Sequence, residues 1–153
     1  MTSAGGGTRP SYPIILVFRF KNLLTPAEEE PKNVPTLDPA AGEEDYCYPT
    51  TTGRLSGQPR EIEIWFGLEG TTAFLLSGGG DRSDWVRNLQ RDPAVTVRIA
   101  GTTWPGRARI VEDPREDGRA RALLADKYAD RYGGDLSGWR RRALPVAIDL
   151  EVT

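Results

Sequence analysis

At 153 residues and a net charge of −2, the chain is long enough for one core, too short for a second, and carries no overall basic field that would hold nucleic acid. It has no histidine and one cysteine, Cys47, which excludes Ser-His-Asp and Cys-His nucleophile systems, ordinary zinc sites and an intramolecular disulfide. Difficult chemistry in such a chain belongs to a bound organic cofactor, no metal is expected, and a reducing, cytoplasmic setting is the expected one.

In chain order, residues 1–45 read as an irregular, partly disordered N-terminal arm. Within it Ile14–Phe20 is an apolar element of ambiguous type, too short for a stable membrane insertion and without the features of a signal peptide. Thr25–Asp45, with Pro26, Pro31, Pro35 and Pro39 among acidic residues, reads as a long surface loop. Structured chain is expected over 46–153. β-Branched Thr50, Thr51 and Thr52 predict a strand that runs into a turn built from Gly53, Ser56, Gly57 and Pro59. A strand from Glu61 follows, with Ile62, Ile64 and Phe66 on one face and Glu61, Glu63 and Trp65 on the other. Leu68-Glu69-Gly70-Thr71 predicts a hairpin turn and Thr72–Ser77 its return strand.

Gly78-Gly79-Gly80 breaks that strand, and Asp81 or Ser83 caps a short helix over Asp84–Arg91, ended by Pro93. Ala94–Ala100 and Trp104–Val111 predict a strand pair. Asp113-Pro114 starts a helix that reads to about Tyr132, with Ala120, Leu123, Leu124, Tyr128 and Tyr132 as its apolar stripe and Gly133-Gly134 as its stop. Trp139–Arg142 suggests a further helical turn. The alternation of Val146, Ile148, Leu150 and Val152 with Ala147, Asp149 and Glu151 gives a last strand. The fold class is mainly β: about six short antiparallel strands in a small barrel, with two or three helices outside.

Two stretches carry chemistry. The turn Thr52-Gly53-Arg54-Leu55-Ser56-Gly57-Gln58-Pro59-Arg60 combines hydroxyls, glycine N–H groups and two guanidiniums, which suits either a phosphate or a plain solvated hairpin. The glycine run Gly78-Gly79-Gly80 is neither a Walker nor a Rossmann turn, since no Gly-Lys-Ser/Thr follows and the strand before it comes from a hairpin.

Together, Thr51-Thr52-Gly53-Arg54-Leu55-Ser56-Gly57-Gln58-Pro59-Arg60 and Ser77-Gly78-Gly79-Gly80…Trp85-Val86-Arg87-Asn88-Leu89-Gln90-Arg91-Asp92-Pro93 resemble the hallmarks of the deazaflavin (F420)-dependent nitroreductase and quinone reductase family of split β-barrels. The resemblance spans roughly residues 46 to 152 and implies a reductase moving hydride from reduced F420 to a quinone, a nitro-aromatic or a similar small acceptor. A related flavin such as FMN, or a non-catalytic deazaflavin-binding role, is the alternative. It also implies a homodimer, by analogy alone. F420 carries a phosphodiester and a polyglutamate tail, for which Arg54, Ser56, Gly57 and Arg60 are the implied contacts, within a turn completed by Thr52, Gly53, Gln58 and Pro59. Gly78, Gly79 and Gly80 are implied beside the ring. Trp85 fits either the core or a stacking position, and Asn88 either the tail or a buried strand end. Tyr128, Tyr132 and, with less support, Ser77 are the implied catalytic groups, with Trp139 closing the pocket. Leu55 departs from the family pattern, where a base often stands. Asp81 and Asp84 oppose an anionic ligand unless Arg82 and Arg87 balance them.

Overall fold

The computed structural model describes residues 34–153, of which 34–152 form one compact unit. Ile14–Phe20 and the first part of the Pro/Glu-rich loop lie outside the described residues. The rest of that loop holds a 3-10 helix, Pro39–Glu43, started by Asp38, whose carboxylate accepts from the Ala40 N–H at 2.9 Å. Among the described residues seven strands follow, where the sequence predicts about six: β1 (Tyr48–Thr52), β2 (Pro59–Glu61), β3 (Gly67–Glu69), β4 (Thr72–Ser77), β5 (Ala94–Ile99), β6 (Thr102–Ile110) and β7 (Leu144–Leu150). Three helices, α1 (Asp84–Arg91), α2 (Pro114–Ala129) and α3 (Ser137–Arg142), complete the unit.

The strands form one antiparallel sheet in the order β2-β1-β5-β6-β7-β4-β3. That order puts β2 and β3 at opposite ends, yet only residues 62–66 join them. Stretched out, such a link reaches about 17 Å, whereas the end strands of a flat sheet of this order would stand about 29 Å apart. The sheet therefore curls on itself, which gives the split barrel.

The predicted strand over 61–66 is corrected. Regular pairing starts earlier, at Pro59, and ends at Glu61, after which the same register survives as an isolated bridge between Cys47 and Ile64. The interruption has a cause on the facing strand. Ile62 N–H donates to the Pro49 carbonyl at 3.0 Å, but Pro49 has no N–H to return the bond.

Both faces of β4 and β7 are covered. Leu75, Val146, Ile148 and Leu150 join Val95, Val97, Ile99 and Trp104 in the barrel interior, closed from one side by Val86 and Leu89 of α1. On the other face Phe74, Leu76 and Ala147 pack under Ala120 and Leu124 of α2, with Ala143 and Trp139. The simple alternation expected for the last strand is corrected accordingly, since Ala147 is as buried as its neighbours. α2 begins as the sequence reads, with Asp113 accepting from Glu116 N–H at 2.9 Å and Pro114 in the first turn. It stops at Ala129, before Tyr132, so the two tyrosines do not share one helix. The Tyr128 carbonyl takes both the Arg131 and the Tyr132 N–H, which tightens the exit.

Candidate active site

The turn between β1 and β2 and the first turns of α1 face each other across a cleft of about 440 Å³, lined by Arg54, Ser56, Arg60, Ile62, Trp85 and Asn88 among others. The turn is internally tied. Gly53 N–H donates to the Gln58 carbonyl and Gly57 N–H to the Gly53 carbonyl, both at 2.8 Å, while Ser56 Oγ accepts from Gln58 N–H at 3.1 Å. A Cβ at Gly53 would stand 2.7 Å from Ser56 Oγ and 3.2 Å from the Gln58 carbonyl oxygen, so a side chain here would displace the hydroxyl that ties the turn.

The two arginines differ. Arg54 is held from α1: its Nη1 donates to Asn88 Oδ1 at 2.9 Å, its backbone N–H to the same oxygen at 3.1 Å, and its Nη2 pairs with Asp84 Oδ1 at 3.1 Å. Asn88 is buried, with its amide nitrogen donating to Thr51 Oγ1 at 3.1 Å. Both ends of that amide are used by protein, so Asn88 reaches a ligand through Arg54. Arg60 is exposed, and among the described residues its guanidinium is bonded to Ser56 Oγ alone, at 3.1 Å. It faces the cleft with most of its donors unspent. Trp85 belongs to both settings, packing on the barrel core and lining the cleft.

The balance of charge differs from the sequence reading. Asp84 is answered by Arg54, not by Arg82 or Arg87, and Arg87 Nε instead reaches the Asp81 carbonyl at 3.3 Å. The signal missed was spacing across the fold, since Arg54 and Asp84 stand thirty positions apart. Glu61, also on the cleft, pairs with Arg98 at 3.2 Å.

Ser77 and the three glycines are not among the cleft-lining residues. Ser77 is buried, and its hydroxyl lies 2.9 Å from both the Gly80 carbonyl and Ser83 Oγ, which fixes the loop into α1. Gly78 and Gly79 are exposed, and Gly80 opens a 3-10 turn at φ +63°. Ser83 takes the N-cap position of α1, but its hydroxyl serves Ser77 and makes no cap bond.

The tyrosines lie elsewhere, around Trp65. Its indole stacks on Tyr128 with centroids 4.2 Å apart, and meets Tyr132 and Trp139 edge-on at 5.6 and 5.5 Å. The Tyr128 hydroxyl donates to the Asp45 carbonyl at 2.6 Å and accepts from Phe66 N–H at 3.1 Å, and burial pushes its pKa up to about 12. Tyr132 is 47% exposed. Trp65, read from the sequence as the outer face of a strand, is the centre of this cluster. Its signal was the aromatic pairing with Tyr128 and Tyr132, visible only once residues 62–66 leave regular strand geometry.

The curled antiparallel sheet, with a guanidinium-lined cleft at its first turn, has the split-barrel architecture found among flavin and deazaflavin oxidoreductases. The F420H2-dependent quinone reductase family model matches residues 40–151, and the chain belongs to that family. It is thus an F420-dependent oxidoreductase, and the family names F420 as coenzyme where the sequence left FMN as an alternative. Similar solved structures include an F420-H2 dependent reductase (24% identity, TM-score 0.55, covering 71% of this chain and 95% of that one) and an F420 reductase (17% identity, TM-score 0.56, 78% and 97%). The heme storage protein HutZ of Vibrio cholerae shares the fold as well (18% identity, TM-score 0.57, 74% and 86%).

Proposed function

We propose that the cleft between the β1–β2 turn and α1 holds the anionic handle of F420, and that the enzyme reduces a quinone or a similarly electron-poor aromatic such as a nitro-aromatic. The observation that carries this reading is the exposed Arg60 guanidinium, bonded within the described residues only to Ser56 Oγ, in a cleft it lines together with Arg54. Such a cation with spare donors suits a phosphodiester. When bound, the reduced deazaflavin supplies the hydride.

In this reading Arg60 and Ser56 bind the handle, with Arg54 behind them. Thr52, Gly57, Gln58 and Pro59 shape the turn. Asn88 holds Arg54, and Trp85 forms the apolar wall. Gly78, Gly79 and Gly80 leave backbone open beside α1, and Ser77 positions them through Gly80 and Ser83. Of the two tyrosines, Tyr132 is the better proton donor to an acceptor, because the Tyr128 hydroxyl is already bonded to backbone. A homodimer completes the reading by fold analogy, and the cytoplasmic setting fits a chain whose single cysteine, Cys47, is free and buried.

The test is anaerobic oxidation of F420H2 against a panel of quinones and nitro-aromatics, with Arg60→Ala as control. Turnover with a quinone and a raised coenzyme KM in the variant are expected. Absence of oxidation with every acceptor, at full coenzyme binding, would leave a binding protein.

A further inference from the structure

The cleft holds four charged side chains, Arg54, Arg60, Glu61 and Asp84, and their pairing is uneven. Glu61 is answered by Arg98. Asp84 answers Arg54, and Arg54 cannot turn away from it freely. Asn88 Oδ1 takes both the backbone N–H and Nη1 of Arg54, and the Asp84 carbonyl lies 3.4 Å from the same Nη1. Arg60 remains the one cleft cation that meets no carboxylate among the described residues. At the tip of the same turn stands Leu55, 91% exposed and without charge.

We propose that Asp84 and Leu55 determine specificity at this cleft: Asp84 withholds Arg54 from the ligand and Leu55 offers no second cation, so the cleft reads one anionic group at Arg60 and is blind to further carboxylates. The proposal rests on the placement of F420 given above and deepens it, since the coenzyme's tail is a run of carboxylates attached to a phosphodiester. An oxygen at Arg60 finds a guanidinium with unspent donors. A second carboxylate nearing Arg54 meets the Asp84 carboxylate already on that fork, and like charges at such range oppose each other. Past Leu55 a longer tail lies in solvent, where screening leaves it little attraction to anything in the cleft.

The experiment is fluorescence titration of the full chain with F420 carrying short and long polyglutamate tails, using wild type, Asp84→Asn, Leu55→Arg and Arg60→Ala. Wild type is expected to bind both forms with Kd values within about twofold of each other. Asp84→Asn and Leu55→Arg should each tighten the long-tailed form by about three- to tenfold over the short one, and this preference should fade at high salt. Arg60→Ala should weaken both forms by about tenfold or more. A tenfold preference of wild type for the long tail overturns the proposal, as does an Asp84→Asn variant that gains none. If Arg60→Ala binds both forms as wild type does, the coenzyme lies outside this cleft, and the placement itself falls along with the proposal. A long-tail preference of that size in wild type, with Arg60 still essential, strikes the proposal alone.

Discussion

The cationic cleft and the end of α2 use polar side chains in opposite ways. In the cleft, Arg60 and Ser56 stand exposed with capacity to spare. At the end of α2, three neighbouring side chains seize three successive carbonyls: Lys127 takes Glu44 O at 2.7 Å, Tyr128 takes Asp45 O at 2.6 Å and Arg131 takes Glu43 O at 3.0 Å. Lys127 also reaches the Phe66 carbonyl at 2.9 Å and lies 3.8 Å over the Phe66 ring. These groups are spent on holding the approach to β1 against α2. Donors left to water inside a cleft are available to a ligand, whereas donors spent on backbone carbonyls hold two segments together.

The largest effect that would sharpen this contrast is on stability. Tyr128→Ala removes a fully buried ring and the Trp65 stack, and should cost about 3–5 kcal/mol in chemical denaturation. Tyr128→Phe, which orphans the Phe66 N–H, should cost about 1–3 kcal/mol, and neither should change the coenzyme Kd of the folded fraction. Next comes Arg60→Ala, expected to weaken coenzyme binding by about 1.5–3 kcal/mol, with denaturation midpoints nearly unchanged. Arg54→Ala should touch both readouts, because it removes one of the two donors to the buried Asn88 carbonyl oxygen and leaves Asp84 without its ion-pair partner on the cleft. A Tyr128→Phe variant of normal stability with weakened coenzyme binding would reverse the assignment of the two regions.

A smaller effect is expected from pH, and it belongs to the α2 side. Burial pushes Cys47 from its ordinary 9.0 up to about 12, so the fold keeps the thiol protonated while the unfolded chain ionises it. That contribution is complete below pH 9 and is lost as pH climbs through about 12. Tyr128 acts in the same direction from its ordinary 10.0. Lys127, pushed down to about 8 by burial, acts in reverse: the unfolded chain holds its proton longer, so stability gains between about pH 8 and 10.5. Denaturation from pH 9 upward should therefore show a gentler decline in Cys47→Ala than in wild type. The smallest structural effect is that of Tyr132→Phe, within about 0.5 kcal/mol, with the change falling on turnover in the steady-state assay.

Much of the barrel was legible in sequence, because its signals are local. The start of α2 follows from Asp113 and Pro114, α1 from the residues between Gly80 and Pro93, and the β3–β4 hairpin from Gly70, which takes φ +60°. What was not legible depends on partners distant in the chain. Pro49 breaks a ladder whose other strand begins ten residues later. Ala147 is buried only because α2 and α3 lie over β7. In the cleft, the turn and the Trp85/Asn88 segment were readable as motifs, but the sharing of Arg54 between Asn88 and Asp84 was not, since it depends on how α1 is set against β1. The Tyr128 hydroxyl shows the same limit, because an amphipathic stripe says which side of a helix is buried and nothing of what its polar atom meets.

The most direct measurement uses Trp85 as a reporter, since it lines the cleft whereas the other three tryptophans, Trp65, Trp104 and Trp139, do not. Titration of wild type and Trp85→Phe with F420 should give saturable quenching in wild type, most of which disappears in the variant, while equilibrium dialysis shows the coenzyme still bound by both. Quenching of full amplitude in Trp85→Phe would place the coenzyme away from the cleft and contradict the account.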